Sequence, residues 1–444
     1  MPAVRPFRAL RYAASAVGDL ARVVAPPYDV ISPAGQRELL ARDPRNVVRL
    51  ELPPDAQGDP PDERYRRAAR TLAAWRSDGT LRAERRPALY VYEQEYPVPG
   101  TAERRTQRGF FGRLRLEDPG PGSGVKPHER TLEAPREDRY RLLRATGVNT
   151  SPVVGLFENP SGRVAARLAT VARRAPDVEV VDDAVVRHRL WVVPETDPAT
   201  GRRSPTARDL VGSVRRSTVT IADGHHRYAT ALRYRDERRV GAPPDDPDPA
   251  WDYVLMLFID AAHEPLTVLP THRIVRGLGP AGIEALWAGA GRMFEVRADV
   301  SSDDLRAGFG PSSPGGRGRF GLWTRGRGAV LTARRAAFAA DLPTGGAAVR
   351  SLDVTLLGIA LERLCGVTPE DVASGERLEY THDASEAISA VDAATGGADA
   401  AFLLEPTPVR SVIAVAADGD VMPQKSTFFY PKALTGLVIN PHEG

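Results

Sequence analysis

Asp223-Gly-His-His-Arg227 packs four polar side chains into five residues, directly after the β-branched run Thr218-Val-Thr-Ile-Ala222. That run reads as a strand, and Ala229, Ala231 and Leu232 begin a helix pattern at once. His225, His226 and Arg227 therefore occupy the strand-to-helix turn and the first helical turn. A helix N-terminus already carries positive partial charge and unpaired N–H groups, so cations there make sense chiefly if an anion joins them. Gly224 lets the backbone approach that anion. The plainer alternative is a helix capped by Asp223, with the histidines packing as ordinary aromatics.

The second chemical signal is Val125-Lys-Pro-His-Glu-Arg-Thr131, between the Gly/Pro cluster 118–124 and a helix pattern at Tyr140, Leu142, Leu143 and Ala145. Glu129 lies in a connection, flanked by His128 and Arg130, where a carboxylate can serve as general base or metal ligand. As a loop glutamate it could equally sit in surface ion pairs. Lysine use sharpens the picture. Only Lys126, Lys425 and Lys432 occur among 60 basic residues, each inside a short polar motif. Lysine is a compact point charge on a flexible stem, suited to phosphate and catalytic sites, although chance placement in an Arg-rich chain is the competing account. Leu269-Pro-Thr-His-Arg273 and Met422-Pro-Gln-Lys-Ser-Thr427 likewise set a cation and hydroxyls beside a proline. Asn149-Thr-Ser-Pro152 alone reads as a turn, and Pro27-Tyr-Asp-Val30 and Tyr380-Thr-His-Asp383 read as structural.

The elements that must position these groups alternate helix and strand. Tyr65, Ala69, Leu72 and Trp75 mark a helix, and strands are expected at 88–94, 110–116, 152–157, 218–222 and 253–259. The pattern is α/β, in three parts: an N-terminal α/β region at 1–120, a core at 121–275 and a C-terminal α/β region at 276–444. Residues 242–250 and 308–318 read as loops. At 444 residues, 42% of them apolar, the chain can bury a sizeable core. No run approaches the roughly 18 apolar residues of a membrane span, and the N-terminus lacks the apolar region of a signal peptide. A cytoplasmic protein without membrane attachment is expected. The net charge is only +3, with arginines interleaved among acids, so nucleic acid binding is not implied. No His-x-x-x-His, Cys-x-x-Cys or HExxH occurs, which argues against structural zinc. The single cysteine, Cys365, reads as a small buried helix residue.

Taken together, Arg5-Pro-Phe, Pro26-Pro-Tyr-Asp-Val-Ile-Ser32, Pro127-His-Glu-Arg-Thr131, Glu137-Asp-Arg139, Asn149-Thr-Ser-Pro152, Ala222-Asp-Gly-His-His-Arg-Tyr228, Leu269-Pro-Thr-His-Arg273 and Met422-Pro-Gln-Lys-Ser-Thr427 resemble the domain-of-unknown-function family 1015. A Pro-His-Glu followed downstream by Asp-Gly-His-His-Arg is also similar to the motif pair of free serine kinases in the ParB/sulfiredoxin-like superfamily. That resemblance implies a ParB/sulfiredoxin-like nucleotide-binding core over 121–275, with Glu129 as base on a hydroxyl. It implies a phosphate cradle of Gly224, His225, His226 and Arg227, and Asp223 positioning Mg²⁺ or substrate. ATP or ADP with Mg²⁺ are the implied cofactors. Lys126 is expected to neutralise charge beside Glu129 and Asp223, while Lys425, Ser426 and Thr427 extend the cradle. His128, Arg130, Asn149, Ser151, His272, Arg273 and Lys432 are expected on the substrate side. Sulfiredoxin chemistry is closed, because His225 stands where the catalytic cysteine would be. A ParB-type DNA binder would need a helix-turn-helix and a basic surface, and the chain has neither. The expectation is a kinase transferring a phosphoryl group from a nucleotide to a small hydroxyl compound, free L-serine among the candidates. The alternative is a non-catalytic nucleotide sensor, which has no need of a poised base at Glu129.

Overall fold

The computed structural model describes residues 1–129, 133–241, 247–310, 315–316 and 318–442. Arg130 and Thr131, residues 242–246 of the Pro-rich loop, and 311–314 with 317 of the 308–318 loop lie outside these. The helix expected around Tyr65 spans Glu63–Ser77, and its i, i+3, i+4 spacing buries Tyr65, Ala68, Leu72 and Trp75 along one stripe. Cys365 ends helix Asp353–Cys365, where burial pushes its thiol up to about 12, so it stays protonated and inert.

A nine-stranded mixed sheet takes its strands, in spatial order, from Val125–Lys126, Val219–Asp223, Val153–Phe157, Tyr253–Asp260, Arg104–Arg115, Ala88–Pro97, Arg187–Pro194 and Val178–Val181. Val4–Arg5 pairs alongside Arg104–Arg115. The sheet thus draws on both sides of residue 120. Strand Ala88–Pro97 is almost continuously buried, as a strand covered on both faces must be. Leu89 and Val91 meet Leu168, Leu210 and Val214 of helices Arg163–Ala172 and Pro205–Arg215. Tyr90 and Tyr92 meet the other core, which continues into Phe320, Leu404, Met422 and Leu434 of the C-terminal part. A six-stranded antiparallel sheet in that part runs Phe294–Ala298, Arg327–Ala333, Arg319–Thr324, Ala400–Leu404, His272–Val275, Leu378–Thr381. The architecture is mixed α/β, and no helix among the described residues is long and apolar enough to cross a membrane.

One chain path decides where the site lies. After helix Val409–Ala417 the chain turns back along the large sheet, and Met422 N donates to the His128 carbonyl at 2.7 Å. Phe428–Tyr430 pairs with Thr267–Leu269, and Asn440 and Pro441 pair with Asn149 and Val148. The apolar anchors Met422, Leu434, Val438 and Ile439 are all buried. This return carries Lys425 and Lys432 to the two motifs in the middle of the chain.

Candidate functional site at the 223–227 turn

Strand Val219–Asp223 runs into helix His225–Gly241 through Gly224, whose φ is +84°. Side chains other than glycine adopt that conformation at a cost, and a Cβ here would also lie 3.0 Å from Arg227 Nε. Gly224→Ala is expected to cost about 1–2 kcal/mol, read as a shift in the urea midpoint. A midpoint equal to that of the wild type would show that the turn tolerates a side chain.

Asp223 does not cap this helix. Its Oδ2 accepts from Arg227 Nη2 at 2.6 Å, and its Oδ1 is ion-paired with Lys432 Nζ. Burial by itself would raise this carboxyl, but Lys432 and then Arg227 outweigh it and hold it below the ordinary carboxylate range. Arg227 also donates from Nη1 to the Pro152 carbonyl, so its fork braces the turn against the neighbouring strand. Gly224 and the helix start are half-buried, and the first turn of a helix leaves N–H groups without intrahelical partners.

The Pro-His-Glu loop packs against this turn. His128 N donates to His225 Nε2 at 3.3 Å, and the two rings meet edge to face with centroids 4.5 Å apart. His225 therefore accepts through Nε2 and is neutral, and burial, reinforced by His128, keeps it so. His128 donates from Nδ1 to the Ile221 carbonyl and accepts at Nε2 from Thr427 Oγ1 at 3.2 Å. Burial lowers it to about 4. His226 is lowered as well, first by burial, with the charge of Asp29 opposing. The histidines that looked like cations in the sequence are held neutral by desolvation, and the positive charge of the site comes from Arg227, Lys425 and Lys432.

Glu129 is the loop's exposed-to-interior transition. It is half-buried, its Oε1 accepts from Lys425 N at 3.3 Å, and it forms a bridge with Met422. Burial pushes its carboxyl up to about 7; the Lys425 N–H and ammonium oppose this, while Asp223 adds to it. Lys425 holds a left-handed backbone at φ +54°, and its carbonyl accepts from Arg273 Nη2 at 3.1 Å. Its ammonium acts on Glu129, His226 and His382. Within one site, then, stand a carboxyl poised near neutrality, two lysines, an arginine and the start of a helix.

Residues 4–355 match the family described as Protein of unknown function (DUF1015). The chain belongs to this family. No curated protein matches it significantly. Among solved structures, a "Free serine kinase in complex with AMP" is 15% identical, with a TM-score of 0.34 over 69% of this chain and 83% of that one. A conserved hypothetical protein from Pyrococcus furiosus is 16% identical, with a TM-score of 0.33 over 69% and 87%. A C-terminally truncated SbnI from Staphylococcus aureus is 11% identical, with a TM-score of 0.32 over 71% and 83%. Likeness at this level bears no weight on the fold or the chemistry of the DUF1015 chain.

The remaining expected residues divide. Arg273 reaches the site: its guanidinium lies 4.7 Å over Tyr380, and burial brings it down to about 10. His272 stays inside the C-terminal sheet, accepting from Leu404 N at 3.1 Å, with burial lowering it to about 3. Ser426 Oγ donates to the Pro423 carbonyl, so it shapes the loop that presents Lys425. Asn149 Oδ1 accepts from Leu255 N at 3.0 Å and Asn440 Nδ2 at 2.8 Å, which ties down the chain's end. Ser151 Oγ donates to Glu51 at 2.8 Å. Lys126 donates to the Gly120 carbonyl at 2.9 Å and lines a separate cleft of about 430 Å³ with Arg216, Thr218 and Thr220. Arg130 lies outside the described residues.

Sequence reasoning read Tyr28 and Asp29 as structural, quoted Arg139 only as part of a family motif, and passed over Glu51. Asp29 acts electrostatically on Arg227, the Arg139 guanidinium lies 4.1 Å over the Tyr28 ring, and buried Glu51 takes hydrogen bonds from Thr150, Ser151 and the Tyr28 N–H. The available signal was Glu51 itself, an acid set with Arg49 among the apolar residues Val47, Val48, Leu50 and Leu52. Both oxygens of Asp223 are already taken by cations, and no group of three or more His, Cys, Asp or Glu among the described residues could hold a metal ion. Asp223 therefore has no free oxygen for the expected Mg²⁺ while Lys432 and Arg227 hold it, and no step below is routed through a metal.

Proposed function

We propose that this DUF1015 chain is a nucleotide-dependent phosphotransferase that moves a terminal phosphoryl group to a small hydroxyl compound, with residues 121–275 as a ParB/sulfiredoxin-like nucleotide-binding core. The carrying observation is geometric: Glu129 directly follows His128, whose N–H bonds to His225 of the Asp223–Arg227 turn, and its Oε1 accepts from Lys425 N, with burial pushing the carboxyl up to about 7. A phosphate sensor has no use for such a base. The helix start at Gly224, with Lys425, Lys432 and Arg227, takes the phosphates of ATP or ADP. Glu129 accepts the proton of the acceptor hydroxyl as its oxygen bonds to the terminal phosphorus and the bridging P–O bond breaks toward the nucleotide. Little covalent chemistry is asked of the protein, since phosphoryl transfer depends mainly on positioning and charge neutralisation. Asp29, whose charge acts on Arg227, and Arg273, on which the charge of Glu129 acts, are assigned to the acceptor side, and free L-serine is the first acceptor to test.

The test is calorimetric titration with ATP and ADP, followed by turnover assays with hydroxy amino acids and polyols. No binding of either nucleotide would end this reading. Titration of Glu129 adds a pH signature. A base works only when ionised, and its carboxyl is raised, so kcat/KM should climb about tenfold per pH unit below about 7 and level off above it. A profile flat from pH 5 to 8 would show that Glu129 is not the titrating base.

A further inference from the structure

Lys432 reaches Asp223 from residues 431–434, an irregular stretch between strand Phe428–Tyr430 and the Ala25–Thr435 bridge, so contacts from outside the turn must set its backbone. Strand Ala88–Pro97 supplies it. Tyr92 and Gln94 are two positions apart on that strand and therefore share a face. Gln94 Nε2 donates to the Lys432 carbonyl at 3.0 Å, and Tyr92 Oη accepts from Leu434 N at 3.3 Å. The two bonds grip the chain on either side of Ala433. Tyr92 Oη in turn lies 2.6 Å from His188 Nδ1, and His188 Nε2 lies 3.1 Å from Asp182 Oδ2. Tyr92, His188 and Gln94 are each about 1% exposed. Asp182 also accepts from Ala184 N and Val186 N at 2.9 Å, which fixes it in its own turn.

A buried hydroxyl and imidazole are costly unless bonded, and the same surroundings could be filled by apolar side chains. A fully satisfied buried network instead specifies one arrangement of the chains it joins. Here those chains are strands Ala88–Pro97 and Arg187–Pro194, the turn at Asp182, and the segment that ends in Lys432. We propose that Asp182, His188 and Tyr92 form a positioning relay for Lys432, holding the backbone at Leu434 so that the ammonium meets Asp223 beside the phosphate-binding turn. None of the three touches the site, and all act through Lys432. The functional half of the inference rests on the phosphotransferase reading; the structural half does not.

Three lysines make the test direct. Protein labelled with ¹³C at lysine Cε gives three signals, assigned by Lys→Arg variants, with Lys126 as the internal control. Tyr92→Phe removes one hydroxyl and is expected to move the Lys432 signal while Lys126 stays in place. ADP affinity should weaken about fivefold, the scale of one lost hydrogen bond, and show no further weakening when Tyr92→Phe is added to Lys432→Ala. Thermal stability should fall less in the Lys432→Ala background, where no Lys432–Asp223 pair is left to loosen. Asp182→Asn, at the more exposed end of the relay, asks the same question should Tyr92→Phe fail to fold. An unmoved Lys432 signal in either folded variant overturns the proposal, as does equal weakening of ADP binding with and without Lys432. If Lys432→Ala binds ADP like the wild type while Tyr92→Phe still moves the Lys432 signal, the relay stands and the phosphate role of Lys432 falls.

Discussion

Glu129→Gln is expected to lower turnover by about a hundredfold or more while nucleotide affinity stays at the wild-type level. Glutamine preserves the shape and still offers Oε1 to Lys425 N, so the loop and its bridge to Met422 survive. What disappears is basicity, and neither His128 nor His225 can replace it. His128 has both ring nitrogens engaged, with Ile221 and Thr427, and burial brings it down to about 4. His225 spends its Nε2 on His128 N. Steady-state turnover beside calorimetric affinity separates the two effects. Unchanged turnover would remove Glu129 from the chemistry and favour the non-catalytic sensor.

Asp223→Ala should be the most destabilising single change at the site. Its side chain is only 13% exposed, and its loss leaves Lys432 and Arg227, similarly enclosed at 13% and 10%, without their shared partner. Breaking a buried ion pair by removing one member costs about 3–5 kcal/mol, because the surviving charge stays desolvated. The measurement is the urea midpoint at neutral pH. A loss below about 1 kcal/mol, the scale of an exposed pair, would mean that the triad is solvated. The pH dependence follows in sign: the folded carboxyl lies below its ordinary value, so its contribution is complete above about 4 and fades as the pH falls through the folded value. Asp223→Ala should therefore lose its penalty in acid.

Local chemistry was legible without coordinates. The helix at 63–77 follows from its 3.6-residue period, and the strands at 88–97, 153–157, 219–223 and 253–260 from short apolar or β-branched runs, signals that depend only on neighbours in the chain. Gly224 was legible too, because a strand running straight into a helix needs one residue free to turn. The charges of the histidines were not. His225 looks cationic beside Arg227 in the sequence, and it is neutral because the Pro-His-Glu loop covers it and removes its water.

By itself the sequence determined the mixed α/β character, the strand-to-helix turn at 223–227, and a carboxylate loop at 127–129 able to act as a base. Only the tertiary structure decided that these belong to one site, that Lys425 and Lys432 join it while Lys126 faces another cleft, and that Asp223 spends both oxygens on cations. Lys432 lies 209 residues from Asp223, and no local pattern records a contact across that separation. It forms because buried anchors such as Met422, Leu434 and Ile439 return the chain to the large sheet, and because Tyr92 and Gln94 hold it there.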